Sequence, residues 1–590
     1  MVTKMGTILL GLVLLLAAGC GSAPAAPDPT ATSPAGASDV APATETAGPT
    51  QAPAGVGLDG TPPSAAPQPA APSAEVEVHP GKLNVMVGSL DNERFDRAFL
   101  SGPGGDNYGR IIGGFLISTN EKTELLPGIA EEWGLSGDGL TWTLTIREGV
   151  KFHDGSELTP EDVQWTLQQY FGPQAVEYNL NSTAVTLSRS VGSIELSGPN
   201  EIRFVTQKPV ADFASYVSET GSGWWHMMPA RDAFGDTDDT RAYDANPVGA
   251  GIMRLTGHTS AQVMNFERFD DFYYQPANGF PEDKRVKFQL LDMFLVPEEA
   301  TRVAALRSGE ADIIPTSLPT KDQVEAGGGQ LIFGQQGVYV WPRLLRCWAN
   351  PQFPCHDKRV RQALNYAIDK ELIRDHLFGG PEVFEVKGWS AVTPNTIGYS
   401  PELDPFPYDP DKARQLLAEA GYPNGEGFGK LIVNTWPSSS TPFLVESAQL
   451  GAEFWKRELN LDVEVRVGDS VALDEKVSAG QLDGQILWRD NDTRRDATSI
   501  MNSGWGDPER IDRRHNDPEL FQLVQETFQI LDPEERVAAA NNLFLRLRDE
   551  SYELGIGYVN IPWGVGPRVT SWEPYPLAVY PSAFHTVILE

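Results

Sequence analysis

Hydrophobic and polar positions alternate cleanly at Leu140-Thr141-Trp142-Thr143-Leu144-Thr145-Ile146. Period-two alternation predicts a strand with one buried face. Gly137-Asp138-Gly139 supplies a turn before it and Asp154-Gly155 one after it. The period then lengthens. Thr159-Pro160-Glu161-Asp162 reads as an N-cap, an N1 proline and an acidic first turn, turning Val163, Trp165 and Leu167 partly inward. Pro297-Glu298-Glu299 opens a helix that carries Val303 and Leu306 and stops at Gly309. Asp357 caps another, with Val360, Leu364 and Ile368 at four-residue spacing. Asp369 begins the next, ending at Gly379-Gly380, and Asp409-Pro410 starts one closed by Gly421. Strand-like Leu431-Ile432-Val433, helix-like Phe443–Leu459 and strand-like Val463–Val467 form a βαβ pattern. Two further helices are expected over 518–530 and 533–549, then short strands. No fixed-period repeat appears.

Residues 1–79 differ in kind. After Lys4 runs Ile8-Leu9-Leu10-Gly11-Leu12-Val13-Leu14-Leu15-Leu16, too short to span a bilayer. A positive start, a short apolar run and small residues describe a secretory signal over 1–19. Leu16-Ala17-Ala18-Gly19-Cys20 resembles a bacterial lipobox. The resemblance implies acylation of Cys20 and attachment to the cell membrane by lipid, in the periplasm or on the outer face. From Cys20 to His79 the chain is rich in Ala, Pro, Thr, Ser and Gly, with no Lys or Arg. Such a segment buries too little apolar area to offset chain entropy, so a disordered stalk is expected over 20–79. Gly55-Val56-Gly57-Leu58-Asp59-Gly60 fits a dinucleotide fingerprint, but no strand precedes it and no helix follows.

The 590 residues carry 46 Lys+Arg and 80 Asp+Glu, a formal charge of −34. Removing the positive charge of Lys4 and the six negative charges of the stalk leaves −29 on residues 80–590. No basic stretch is available to neutralise phosphates, which argues against nucleic acid. An apolar share of 41% supports a large core.

Longer blocks then align in order. Leu126-Pro127-Gly128-Ile129-Ala130-Glu131-Glu132-Trp133 precedes the alternating strand, and Val150-Lys151-Phe152-His153-Asp154-Gly155 and Leu158–Val163 follow it. Asn246-Pro247-Val248-Gly249-Ala250-Gly251, Leu306–Asp312, Asp357–Lys370 and Tyr408–Tyr422 come next. Together they resemble the family 5 extracellular solute-binding proteins of ABC importers, the oligopeptide, dipeptide and nickel binders. The resemblance covers about residues 80–590. It implies an α/β, periplasmic-binding-protein-like fold: two ligand-gripping lobes with a hinge, plus an extra intercalated lobe. The expected assignment is lobe I at 80–108, 245–340 and 520–590, lobe II at 109–244, and lobe III at 341–519.

The implied function is capture of a peptide by cleft closure and delivery to an ABC permease. An oligosaccharide, a nickel complex or another small solute is the alternative ligand, and a tethered envelope enzyme the less favoured class. The protein is expected to be a monomer, with no cofactor and no metal. No G-x-S-x-G, H-E-x-x-H, C-x-x-C or P-loop is present, so no catalytic residue is assigned. His153-Asp154-Gly155 reads as a turn. His226-Met227-Met228 beside Trp224-Trp225 reads as a buried apolar segment rather than a metal site.

In peptide-binding relatives a G-W-x-x-D-like segment supplies the aspartate that holds the peptide ammonium. The corresponding stretch here is Leu487-Trp488-Arg489-Asp490-Asn491-Asp492, with Leu487 in place of the glycine. The resemblance implies Asp490 or Asp492 as the anchor, with Trp488 and Asn491 beside it. Arg489 either neutralises one of these acids or contacts an anionic ligand group; the whole run reads alternatively as a solvated charged loop. Gly249, Ala250, Trp341 and Trp505 fall on family cleft segments, with core packing the competing reading for the tryptophans. Cys347 and Cys355, eight residues apart around Pro351 and Pro354, either close a disulfide loop or remain two separate buried thiols.

Overall fold

The computed structural model describes residues 79–590 except 91–92, 94, 96–103, 121, 123, 174–181, 220–242, 244–245, 439–440, 502–503 and 510–512. The expected signal, Cys20, nearly all of the stalk, and the Trp224–Met228 segment lie outside the described residues. Among those described, no helix is long and apolar enough to cross a membrane.

Alternation becomes strand where it is cleanest. In Thr141–Ile146, Trp142, Leu144 and Ile146 are buried and the threonines between them are half-exposed. Trp142 packs inward with its indole N–H donated to the Val210 carbonyl at 2.6 Å. Phe204 and Phe213 stack beside it, centroids 4.1 Å apart. The helix Pro160–Phe171 carries a full capping box between Thr159 and Asp162. Asp357, Asp369, Asp409, Asp517 and Asp532 each accept a backbone N–H at the start of a helix, satisfying donors that helix geometry leaves over. Asp154 closes the turn after the strand by accepting from Ser156 N and Oγ at 2.9 and 2.6 Å.

Three sheets organise these elements. Strands Ala130–Leu135, Thr141–Ile146, Glu201–Thr206 and Val191–Leu196 pair antiparallel in that order. A second four-stranded sheet runs Arg343–Leu344, Ile486–Leu487, Lys430–Thr435, Asp462–Val467. Its last two strands are parallel and bracket the helix Leu444–Leu459, which is the expected βαβ unit. Trp455 on that helix donates its indole N–H to the Leu364 carbonyl at 2.9 Å, tying the unit to the helix Lys358–Tyr366.

The large sheet is mixed and nine-stranded. It gathers His79–Val87, Phe288–Leu295, Ile313–Pro315, Gln330–Val340 and Gly557–Val565, with Asp490–Asp492 at one edge and Met253–Thr259 at the other. The edge strand lies inside 341–519, the span expected to form the extra lobe, yet it pairs with Gln330–Val340. The chain passes between the two sheets twice at one place. Gln330–Val340 leads through Trp341 and Pro342 into Arg343–Leu344, and Ile486–Leu487 returns through Trp488 and Arg489 into Asp490–Asp492. The passages are bonded together, Trp341 N–H to the Arg489 carbonyl at 2.6 Å.

Cys347 and Cys355 are joined in a disulfide, with Cα atoms 5.4 Å apart and both residues buried. The loop spans eight residues. In the chain-entropy treatment a bridge of that size is worth about 2–3 kcal/mol. A Cys347→Ser, Cys355→Ser double variant is expected to lose that much in urea unfolding; an unchanged midpoint contradicts it.

His153 is buried, with its Nε2 3.1 Å from the Gly251 carbonyl. Burial lowers its pKa from the ordinary 6.5 to about 4. Burial also lowers that of His515 to about 4. Both must charge when the chain unfolds in acid. Their contribution is therefore complete above about pH 6.5 and is lost as pH falls through 4. For His153 this amounts to about 3 kcal/mol. His153→Gln is expected to flatten the fall in urea midpoint between pH 7.5 and 4.5; an unaltered acid limb excludes this histidine as a contributor.

Candidate ligand-binding site

The double passage brings most of the expected site residues to one place. Asp490 is the first residue of the edge strand and faces Val340. Its Oδ2 accepts from Ser438 Oγ at 2.5 Å and Thr441 Oγ1 at 2.6 Å, and the residue is 9% exposed. These hydroxyls orient the carboxylate inward and stiffen the strand entry. Arg489 donates from Nε to the Asp490 carbonyl at 3.0 Å, and its guanidinium lies 5.7 Å from the Trp436 ring centre. Asn491 pairs with Tyr339 across the strand boundary.

Asp492 has a different setting. Arg494 stands 3.9 Å away, and 33% of the Asp492 side chain remains open to solvent. Desolvation nevertheless pushes its carboxyl above the usual range; Arg494 draws it back, Asp490 adds to the rise, and Arg489 and Arg110 also lower it. The Asp492 carboxylate is thus crowded by protein yet reachable by water. Its surroundings combine one accessible acid with the guanidinium groups of Arg489 and Arg494 on its own segment and of Arg110 on another. Such a site can hold an ammonium and an anionic group of one dipolar molecule.

The tryptophans are packed otherwise than a ligand platform requires. Trp488 is fully buried and donates its indole N–H to Ser447 Oγ at 2.9 Å. Gly451 lies so close that a Cβ there would stand 2.5 Å from the Trp488 ring. Trp341 and Trp505 flank the Arg514 guanidinium, whose carbon is 4.1 Å from one ring centre and 4.5 Å from the other. Arg514 in turn pairs with Glu553 at 3.0 Å, with 4% and 1% of the two side chains exposed. The guanidinium thus lies on the aromatic surface that the sequence reading offers to a ligand at Trp341 and Trp505. Gly249 and Ala250 are likewise buried. A Cβ on Gly249 would meet the Ile112 carbonyl at 2.1 Å, and the Gly249 carbonyl accepts from His153 N–H at 2.8 Å. The His-Asp-Gly turn therefore holds this segment in place.

Residues that the sequence reading passed over complete the surroundings. Ser438 and Thr441 bind Asp490 from a loop almost fifty residues away, and Arg110 and Arg494 approach Asp492. The run Ser438-Ser439-Ser440-Thr441 just before a helix was the local sign of the former. Nothing near Arg110 marks it, because its relation to Asp492 exists only once the chain is folded. No grouping of three or more His, Cys, Asp or Glu suited to a metal occurs among the described residues.

Comparison with known proteins identifies the fold and the family. A TM-score of 0.69 relates the chain to a periplasmic binding protein, DppA from Helicobacter pylori in complex with the peptide STSA, over 86% of this chain and 98% of that one at 19% identity. That likeness establishes a mixed α/β periplasmic-binding-protein fold. In sequence the chain is 29% identical to heme-binding protein A of Haemophilus influenzae over 322 residues, 52% of this chain and 55% of that protein. It is 26% identical to the dipeptide-binding protein of Escherichia coli over 339 residues, 54% and 58%. The alignments thus span little more than half the length of these curated relatives. The sequence model for bacterial extracellular solute-binding proteins, family 5, matches residues 124–508. The chain belongs to that family, whose members bind solutes rather than transform them.

Proposed function

We propose that this protein is the extracytoplasmic receptor of an ABC importer, and that it captures a short peptide by closing over it and presents it to the permease. The carrying observation is the setting of Asp492: a desolvated yet accessible acid with guanidinium groups around it. In this reading Asp492 holds the peptide α-ammonium, and Arg489 or Arg494 lies within reach of a carboxylate. Asp490, engaged by Ser438 and Thr441, acts as the positioning residue. The lobes at 80–108, 245–340 and 520–590 and at 109–244 grip the ligand, and the lipid on Cys20 keeps the receptor beside its permease. The names of the dipeptide-binding and peptide-complexed relatives favour peptide over the other solutes of the family.

A charge-assisted hydrogen bond of this kind is worth about 1.5–3 kcal/mol, or about 10- to 100-fold in affinity. In calorimetric titrations with di- to pentapeptides, Asp492→Asn is expected to weaken binding by that factor. N-terminal acetylation of the peptides should weaken the unmodified protein equally and the variant little. Equal binding of free and acetylated peptides by the unmodified protein sinks the assignment. Native mass spectrometry of the purified chain tests the ligand class, and recovery of a carbohydrate without peptide overturns it. Cys20→Ser should release the protein from the membrane fraction.

A further inference from the structure

Asp212, Thr498 and Asp496 meet where the Ala130–Thr206 sheet region packs against the residues that follow the double passage. Asp212 lies six residues beyond the strand Glu201–Thr206, and Thr498 is in the first turn of the helix Ala497–Met501. All three are buried, at 5%, 1% and 6% exposure. Thr498 Oγ1 stands 2.8 Å from Asp212 Oδ2 and 2.7 Å from Asp496 Oδ1.

A threonine hydroxyl has one hydrogen, so it cannot give a full, well-aligned hydrogen bond to both of these carboxylates. The remaining contact would set a lone pair of the hydroxyl against an ionised oxygen at hydrogen-bond distance, in a dry setting where repulsion is strong. A proton on one carboxyl resolves the conflict. The acid then donates to Thr498 Oγ1, and the hydroxyl donates onward to the other carboxylate.

The surroundings choose between the two. Asp496 Oδ1 also accepts the Thr498 backbone N–H at 2.9 Å, and the Arg495 guanidinium is close to it. Asp212 is desolvated, and the charge of Asp496 opposes its ionisation. Arg536 and the hydroxyls of Tyr216 and Thr498 act on it in the other direction. The net effect raises the Asp212 carboxyl above its ordinary value. A small cavity of about 60 Å³, lined by Lys208, Tyr216, Gln525 and Phe528 among others, borders Asp212.

We propose that Asp212, Thr498 and Asp496 share one proton across this interface, held on Asp212, so that seating the Ala130–Thr206 region on the Asp496–Met501 segment takes up a proton. Other contacts cross the same interface: Arg495 Nη1 donates to Ser215 Oγ at 3.0 Å, and Arg189 pairs with Asp507. When the two parts separate, Asp212 returns to water and to an ordinary carboxylate pKa near 3.9. The seated state binds the proton more tightly. Seating is therefore most favoured in acid and weakens as pH rises through the raised value, by linkage.

Infrared spectroscopy of the full chain tests the proton directly. A protonated-carboxyl C=O band is expected to persist at pH values where ordinary carboxyls are already ionised, and its Asp212 component should vanish in Asp212→Asn. Spin labels at the exposed positions 195 and 526, read by pulsed electron resonance, report the seating. The distance should lengthen in the unmodified sequence as pH rises and stay constant in Asp212→Asn, whose amide keeps the hydrogen bond without titrating. Thr498→Val, which keeps the shape and removes the bridging hydroxyl, should abolish the same pH dependence. A band unaffected by Asp212→Asn, or a pH profile that both variants retain, overturns the proposal. None of these readouts needs a bound solute, so they fail or succeed independently of the peptide assignment.

Discussion

The architecture depends on two chain passages that lie side by side. Gln330–Val340 leaves the large sheet at Trp341 while Asp490–Asp492 enters it at Arg489, and one backbone hydrogen bond joins them. Passages between sheets carry backbone groups that no ladder satisfies, so buried side chains must fix them. Here the Arg514 guanidinium lies between Trp341 and Trp505 and is neutralised by Glu553. Desolvation raises the Glu553 carboxyl, with Arg514 opposing it. Removing either partner would strand a buried charge, a penalty of about 3–5 kcal/mol in comparable pairs. That penalty, together with the aromatic faces, leaves the passages little freedom to shift.

The position of the acids follows from this constraint. Asp490 and Asp492 stand on an edge strand only three residues long, so both sit beside the passage and, being two residues apart, project from the same face. One is absorbed by Ser438 and Thr441; the other keeps a third of its side chain in solvent. The same short stretch then runs into Arg495, Asp496 and Thr498, which meet the Ala130–Thr206 region. In the proposed reading, ligand recognition and contact between parts of the protein therefore share one segment. A shift at Asp492 has few residues to cross before it reaches Thr498.

Much of this was readable locally. The alternation in Thr141–Ile146, the capping aspartates and the βαβ unit depend on neighbours within a few residues, and they appear where the pattern puts them. The placement of the tryptophans was not readable in the same way. A tryptophan in a recess and one in a core have the same sequence, and Trp488 is set in the core by Ser447 and Gly451, some forty residues earlier. The choice between Asp490 and Asp492 likewise turns on Ser438, Thr441 and Arg494, whose roles no spacing announces.

Short-range physics was thus sufficient for the elements, for the mixed α/β class and for the blocks that resemble the family. The tertiary structure alone decided which strands neighbour one another in the nine-stranded sheet and where Asp490–Asp492 pairs. It alone decided that Arg514 takes the faces of Trp341 and Trp505, and that Asp212 meets Thr498 across 286 residues. The reason is the range of the forces. Capping and periodicity act within one or two turns of chain, whereas desolvation of a charge depends on every group packed around it, wherever those groups stand in the sequence.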